Sequence, residues 1–148
     1  MYTGYIARNL EAKLDQKVEI DRDVRVLIAD SNRNVRWALR TAINEQPHMV
    51  VVGECLQADT LSNQVEMQHP DLLLLDWDLP GLDVSQLPAL SATGDRLWVI
   101  VLGVQPEAEK IAMAAGADAF LSKADPPERL LAALQQIPIQ PTSPISSP

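Results

Sequence analysis

Three charged side chains stand where short apolar segments of this chain end. Asp30 follows VRVLIA, Asp76 follows LLLL and Lys123 follows AFLS. Such runs, bounded by turn residues, are typical of strands buried on both faces of a parallel sheet. Because the carboxyl ends of these strands line the ligand crevice of open α/β sheets, we expect the three side chains to meet there. The alternatives are that Asp76 only caps the following turn and that Lys123 only forms a salt bridge with Asp76.

Two carboxylates and an ammonium group at one sheet edge suit phosphate chemistry. Carboxylates held close together repel each other, and a cation between them removes the repulsion. Oxygen ligands in a partly hydrated site favour Mg²⁺. A carboxylate beside that metal can attack phosphorus to give an aspartyl phosphate, and Lys123 would neutralise one phosphoryl oxygen.

The rest of the chain alternates strand and helix patterns. Strands are predicted at 24–29, 49–52, 72–75, 97–102 and 118–122. Helices are predicted to follow Asp30, at 58–68, after Gly81 with an interruption at Pro88, at 106–115 and at 126–137. Right-handed crossovers between parallel strands then give an α/β, doubly wound, five-stranded, flavodoxin-like sheet of order 2-1-3-4-5. That order places the first and third strands side by side, so Asp30 and Asp76 face one crevice.

The helix after Asp30 is predicted to be amphipathic, with Ser31 or Asn32 as its N-cap. Its apolar face carries Val35, Leu39, Ala42 and Ile43, and its predicted solvent face carries Arg33, Arg36 and Arg40.

We expect one domain with two flanking segments. Residues 1–23 form an N-terminal extension in which Tyr2, Ile6, Leu10, Leu14 and Val18 recur every four residues, a pattern that predicts an amphipathic helix. That helix would dock on the domain or pair with a second chain, and a frayed segment is the alternative. The domain itself spans 24–137. Residues 138–148 are rich in Pro and Ser and are predicted to be an unpacked linker or tail.

Composition narrows the class of function. The net charge of −8 and the pI near 4.6 argue against direct nucleic-acid binding by this domain. A run of about 18 apolar residues, long enough to span a membrane, is missing from the sequence, and no secretory signal is evident. The single cysteine, Cys55, is interpreted as a core residue and fits a reducing cytoplasm.

The segments VRVLIAD, DLLLLDWDLPGLD, LWVIVLG and AAGADAFLSK together resemble the receiver domain of two-component response regulators. The resemblance covers residues 24–137 and is closest to the branch that usually precedes a helix-turn-helix output domain. It implies that Asp76 is the phosphoacceptor and that Lys123 binds the phosphoryl group. Mg²⁺ would be held by Asp30, Asp76 and the backbone carbonyl of Asp78, and Phe120 would be the aromatic switch residue.

Two positions depart from that family pattern. Receivers usually carry two adjacent acids after the first strand, and here the second is Ser31. A neutral hydroxyl in place of a carboxylate ligand should lower the affinity for Mg²⁺. Receivers usually place Ser or Thr after the fourth strand, where this chain has Gly103. The missing hydroxyl should uncouple phosphorylation from the usual conformational change.

These features predict a degenerate receiver, not an enzyme, that acts as a protein-interaction module with weakened or absent phosphorylation. Its expected partners are a histidine kinase or another signalling protein, and a homodimer is also expected. The alternative is a working receiver phosphorylated on Asp76 by a histidine kinase. A remote alternative is a haloacid-dehalogenase-like phosphatase, because LLLLDWD also resembles the first motif of those enzymes, where it normally lies on the first strand.

Overall fold

A computed structural model of the chain describes residues 18–20, 22–91 and 96–141. The strands in these ranges are β1 (Val18–Ile20), β2 (Val24–Ala29), β3 (Met49–Cys55), β4 (Leu72–Asp76), β5 (Trp98–Gly103), β6 (Ala119–Ser122) and β7 (Ile139–Pro141). Five of them form one parallel sheet in the order β3-β2-β4-β5-β6. Counted along this sheet, that is the order 2-1-3-4-5, so the predicted fold class is confirmed.

Helices connect and flank these strands. They are α1 (Arg33–Asn44), α2 (Leu61–Gln68), α3 (Gln86–Ser91), α4 (Ala108–Ala114) and α5 (Pro127–Gln136), with a 3-10 turn at Ala58–Thr60 before α2. Pro88 does not interrupt its helix, because it lies in the first turn of α3, where a missing N–H breaks no helical bond. Even α1, with 12 residues, is too short to cross a bilayer, and the same holds for every helix in the described ranges.

The centre of the sheet forms the core because β4 and β5 are buried along their whole length. Their apolar residues leave no polar face, as expected for strands covered by helices on both sides. Leu75 of β4 lies opposite Ala29 of β2 and opposite Val101 of β5. The next residues along β2 and β4 are Asp30 and Asp76, so this register brings both carboxylates to the same edge of the sheet.

The two segments that flank the predicted domain pair with each other. Val18–Ile20 form β1, which runs parallel to β7 with Val18 opposite Ile139 and Ile20 opposite Pro141. The predicted helix is therefore wrong for Val18–Ile20, and the predicted unpacked tail is wrong for Ile139–Pro141. Each segment gains backbone partners from the opposite end of the chain, which its own sequence pattern does not reveal. The rest of the predicted N-terminal helix, residues 1–17, lies outside the described residues.

Candidate functional site

Two buried carboxylates lie at the carboxyl edge of the sheet. Asp30 follows β2 and Asp76 ends β4, and their side chains are 1% and 4% exposed. The backbone N–H of Asn32 donates to Asp30 Oδ1 at 2.8 Å, and that of Asp78 donates to Asp76 Oδ1 at 2.9 Å. Each acid is thus oriented by the amide two residues further along the chain.

Lys123 bridges these carboxylates from the end of β6. Its backbone N–H donates to the carbonyl of Gly103 at 2.9 Å, which fixes its position beside β5. The ammonium nitrogen lies 2.9 Å from Asp30 Oδ2 and 3.0 Å from Asp76 Oδ1. Burial by itself would lower the pKa of Lys123, but the hydrogen bonds to both acids and their negative charges outweigh it and raise the pKa above its ordinary value. The sequence prediction that the three side chains meet is confirmed.

An arginine that the sequence analysis assigned to solvent supports this site from α1. Arg36 Nη1 donates to the backbone carbonyl of Asp30 at 2.9 Å, and its Nε pairs with Glu54 Oε1 at 2.9 Å. Arg40 pairs with the other oxygen of Glu54. The hydrogen bond from Arg40 is the main cause that holds the pKa of Glu54 below its usual value. The predicted solvent face of α1 is therefore wrong for Arg36, whose side chain is 13% exposed.

The N-cap and core face of α1 follow the sequence prediction. Asn32 is the N-cap, and its side-chain oxygen accepts from the N–H groups of Asn34 and Val35. Leu39 and Ile43 are buried. Because the cap fixes the start of α1, it also fixes the loop that follows Asp30.

Gly103 makes room for the ring of Phe120. A Cβ atom added to Gly103 would lie 2.7 Å from Cζ and 2.8 Å from Cε2 of that ring, closer than carbon atoms pack. The ring is 3% exposed, so Phe120 points into the protein. The Cβ of Trp77 lies 3.7 Å from the same point, and Trp77 is partly buried against the core. The sequence indicates only that a hydroxyl is missing at Gly103, because the contact with Phe120 joins residues on two different strands.

The donor set around the two acids suits a small, oxygen-preferring cation such as Mg²⁺. Asp30 and Asp76 would supply carboxylates and Asp78 its backbone carbonyl, and the exposed Ser31 would add only a neutral hydroxyl. In the ranges that the structure describes, no group of three or more His, Cys, Asp or Glu side chains could hold a metal. A cation entering here would compete with Lys123, whose ammonium already contacts both acids.

Fold and site together define a receiver of the two-component type. The sequence model of the response regulator receiver domain matches residues 26–135, and the chain therefore belongs to this family. Residues 26–135 lie within the predicted limits of 24–137.

Two response regulators are similar to this chain in sequence. The nitrate/nitrite response regulator protein NarL of Escherichia coli K12 is 32% identical over 115 residues, which is 75% of this chain and 53% of NarL. The response regulator MprA of Mycobacterium sp. strain KMS is 32% identical over 130 residues, which is 84% of this chain and 54% of MprA. The chain thus spans about half the length of these relatives.

Among solved structures, a LuxR-family two-component response regulator from Aurantimonas sp. SI85-9A1 superimposes with a TM-score of 0.72 at 22% identity. The match covers 82% of this chain and 91% of that chain. At this identity the likeness supports the fold alone. The family assignment leaves the phosphatase alternative without support, and the Asp-x-Asp motif begins at the last residue of β4 and not on the first strand of the sheet.

Proposed function

We propose that this receiver acts as a protein-interaction module in signalling and that phosphorylation of Asp76 is weak or absent. The observation that carries the proposal is the contact between the Phe120 ring and Gly103. The ring fills the space that any side chain at position 103 would need. The aromatic switch residue is thereby held inward by packing and not by the state of Asp76.

Besides the aromatic residue, the switch of a receiver uses a hydroxyl group at position 103, and this chain lacks it. In receivers a Ser or Thr at this place donates a hydrogen bond to the phosphoryl oxygen. A hydrogen bond to a charged group contributes roughly 1.5 to 3 kcal/mol, which shifts a two-state equilibrium by about one to two orders of magnitude. Gly103 has no such donor. A phosphoryl group on Asp76 would therefore form no hydrogen bond with residue 103 that could draw the loop after β5 inward.

A weak metal site would also limit phosphorylation. Mg²⁺ would be held by Asp30, Asp76 and the carbonyl of Asp78, and when bound it would neutralise charge on a phosphoryl group. Ser31 contributes no charge to this set, and Lys123 already shares both carboxylates. Because the number of charged ligands sets the affinity of such sites, we expect weaker binding than at a site with three acids.

The alternative function is a working receiver that a histidine kinase phosphorylates on Asp76. The retained trio of Asp30, Asp76 and Lys123 favours it, because those groups are in contact. Within the described residues, the hydrogen bond from Asp78 and the ion pair with Lys123 both go to Oδ1 of Asp76, which leaves Oδ2 for attack on phosphorus.

Incubation with acetyl phosphate and excess Mg²⁺, followed by intact-mass measurement, separates the two functions. We expect no gain in mass while circular dichroism shows that the protein is folded. A receiver with the usual acids, treated in parallel, shows that the reagent is active. A gain of one phosphoryl group that disappears in Asp76→Asn would establish the alternative.

Several further properties are part of the same proposal. We infer that the domain spans 24–137, that it is not an enzyme and that it works in the cytoplasm, where its lone Cys55 stays reduced. Cys55 is buried, and burial raises the pKa of its thiol, which suits a core residue better than a nucleophile.

The partners would be a histidine kinase or another signalling protein, with a second copy of the chain as a further partner. Sedimentation velocity tests for the homodimer.

A further inference from the structure

A cavity of about 260 Å³ lies between α1 and α5, next to the acidic site. Most of its wall is apolar and comes from both helices and from the ends of β5 and β6. The apolar lining residues are Val35, Ala38, Leu39, Ala42, Leu102, Leu121, Pro126, Pro127 and Leu130. Asp30 and Asp76 are not among its lining residues, whereas Lys123 is.

Residue size explains why this space is not filled. On α1 the wall includes the methyl groups of Ala38 and Ala42, and at the start of α5 it includes the short rings of Pro126 and Pro127. An apolar space of about 150 Å³ can bind benzene, so the larger cavity here has room for a bicyclic ring.

The polar end of the cavity has charges that oppose each other. Its polar lining residues are Ser122, Lys123, Asp125 and Arg129. The ammonium of Lys123 is already shared by Asp30 and Asp76, and Asp125 Oδ2 accepts from the N–H of Ser122 at 3.1 Å. A charged ligand would therefore be repelled by one side chain of the same sign and attracted by another of opposite sign. It would also lose its hydration in an apolar space.

We propose that this cavity binds a small uncharged ligand with an apolar body and one hydrogen-bonding group. The apolar body packs between α1 and α5, and the polar group faces Ser122 and Asp125. The volume lies just below the usual range of about 300 to 1,000 Å³ for ligand pockets, which suits a ligand of roughly ten non-hydrogen atoms.

A ligand in this cavity would act on the acidic site through shared residues. The stem of Lys123 forms part of the wall while its ammonium bridges Asp30 and Asp76. Leu102 and Leu121 also form part of the wall and are the chain neighbours of Gly103 and Phe120. This consequence rests on the proposed function, because a receiver that is not switched by phosphate can take its input from such a ligand.

Indole is a suitable probe because it is bicyclic, uncharged and has a single N–H donor. In ¹H–¹³C correlation spectra of the full chain, we expect saturable shifts at the methyl groups of Ala42, Leu121 and Leu130, together with a shift of the Lys123 Cε methylene signal. Benzoate and benzylamine, the anionic and cationic comparisons, should bind at least tenfold more weakly than indole.

Two alanine variants distinguish the cavity from the surrounding surface. Ala38→Leu fills the cavity from an exposed position on α1, where leucine is a good helix former, and should weaken indole binding at least tenfold. Ala132→Leu makes the same change at an exposed position of α5 that does not line the cavity, and should bind indole as the unmodified chain does.

Three results would overturn the proposal. They are the absence of saturable shifts up to the solubility limit of indole, equal binding by Ala38→Leu, and equal or tighter binding of either charged probe. Saturation at the methyl groups with an unmoved Lys123 signal would overturn the link to the acidic site. No phosphodonor is present in this experiment, so its failure is distinguishable from phosphorylation of Asp76, which would overturn the proposed function.

Discussion

The two edges of the sheet hold their buried carboxylates in different ways. At the amino edge, the buried Asp118 accepts with Oδ2 from the N–H of Val99 in the neighbouring strand β5 at 2.8 Å. Asp71, which is only partly buried, accepts from the N–H of Arg25 at 2.8 Å and also forms an ion pair with the side chain of Arg22. At the carboxyl edge, Asp30 and Asp76 each accept one local backbone N–H and in addition share the side chain of Lys123.

This difference separates a structural acid from one that can take part in chemistry. A carboxylate bound by the backbone of the next strand cannot exchange that partner without opening the sheet. A carboxylate bound by a lysine can exchange it for a metal ion or a phosphoryl group through a rotation of the lysine side chain. By this criterion Asp30 and Asp76 keep the arrangement of a site, although the ring of Phe120 is buried against Gly103.

The largest expected effect comes from Lys123→Met, which leaves the two acids at the carboxyl edge without their cation. The free energy of unfolding at pH 7 should fall by about 3 kcal/mol, the cost of breaking a buried pair from one side. Urea denaturation measures it, with exposed Lys110→Met as the matched control. Equal losses in the two variants would contradict the bridging role.

The difference in stability between the unmodified chain and Lys123→Met should also depend on pH. The pKa of Lys123 in the folded protein is raised from its ordinary value of 10.5. The charged Lys123 therefore makes its full contribution to the free energy of unfolding at any pH below 10.5. This contribution is lost as the pH rises through the higher folded pKa. The stability difference between the unmodified chain and Lys123→Met should therefore stay constant from pH 7 to about 10 and shrink above it. A difference that already shrinks between pH 7 and 9 would contradict this assignment.

At the amino edge, Asp118→Ala should cost about 2 kcal/mol, because the buried N–H of Val99 loses its acceptor. The affinity for Mg²⁺ should not change, since Asp118 is remote from Asp30 and Asp76 along the strands. Urea denaturation and a metal titration provide the two measurements, and exposed Asp59→Ala is the matched control. A loss of metal affinity without a loss of stability would erase the contrast between the two edges.

Gly103→Ala should lower the free energy of unfolding by about 1.5 kcal/mol, a typical cost of overpacking a core, because the new methyl group meets the Phe120 ring. The cost should shrink when Phe120→Leu is also present, since the shorter side chain vacates the contact. Urea denaturation of the two single variants and the double variant measures this coupling. Additive losses would show that the ring does not depend on Gly103.

The smallest expected effect is a gain at the carboxyl edge. Ser31→Asp should tighten Mg²⁺ binding severalfold, by less than about 1.4 kcal/mol, because a third carboxylate joins a set in which Lys123 still competes. Isothermal titration calorimetry with Mg²⁺ measures the change, and Ser31→Asn controls for side-chain size. Equal affinities of the two variants would mean that residue 31 does not contribute to the site.

The sequence predicts the central sheet well because each of its strands carries a local signal. Unbroken apolar runs such as LLLL and WVIVL have few alternatives to a buried parallel strand. The β1–β7 pair could not be predicted in the same way. Val18 fits both a helical stripe and a strand, and a three-residue strand has too few residues to show a period of two.

At the site, residue types and strand ends predict which charges meet, but not which contacts support them. That Asp30, Asp76 and Lys123 converge follows from sheet order alone. The hydrogen bond from Arg36 to the carbonyl of Asp30 depends on side-chain reach across α1. The packing of Phe120 against Gly103 likewise depends on atomic distances between neighbouring strands. No sequence period encodes either contact.

The parallel pairing of β1 with β7 has a mechanical consequence. Tension applied to the two ends of the described chain pulls on Val18 at one end of the ribbon and on Pro141 at the other. Since the strands run in the same direction, this force loads all three residue pairs in shear at once and does not peel them apart one by one. The ribbon therefore bears the load first, and β2 and α5 are strained only after it slips.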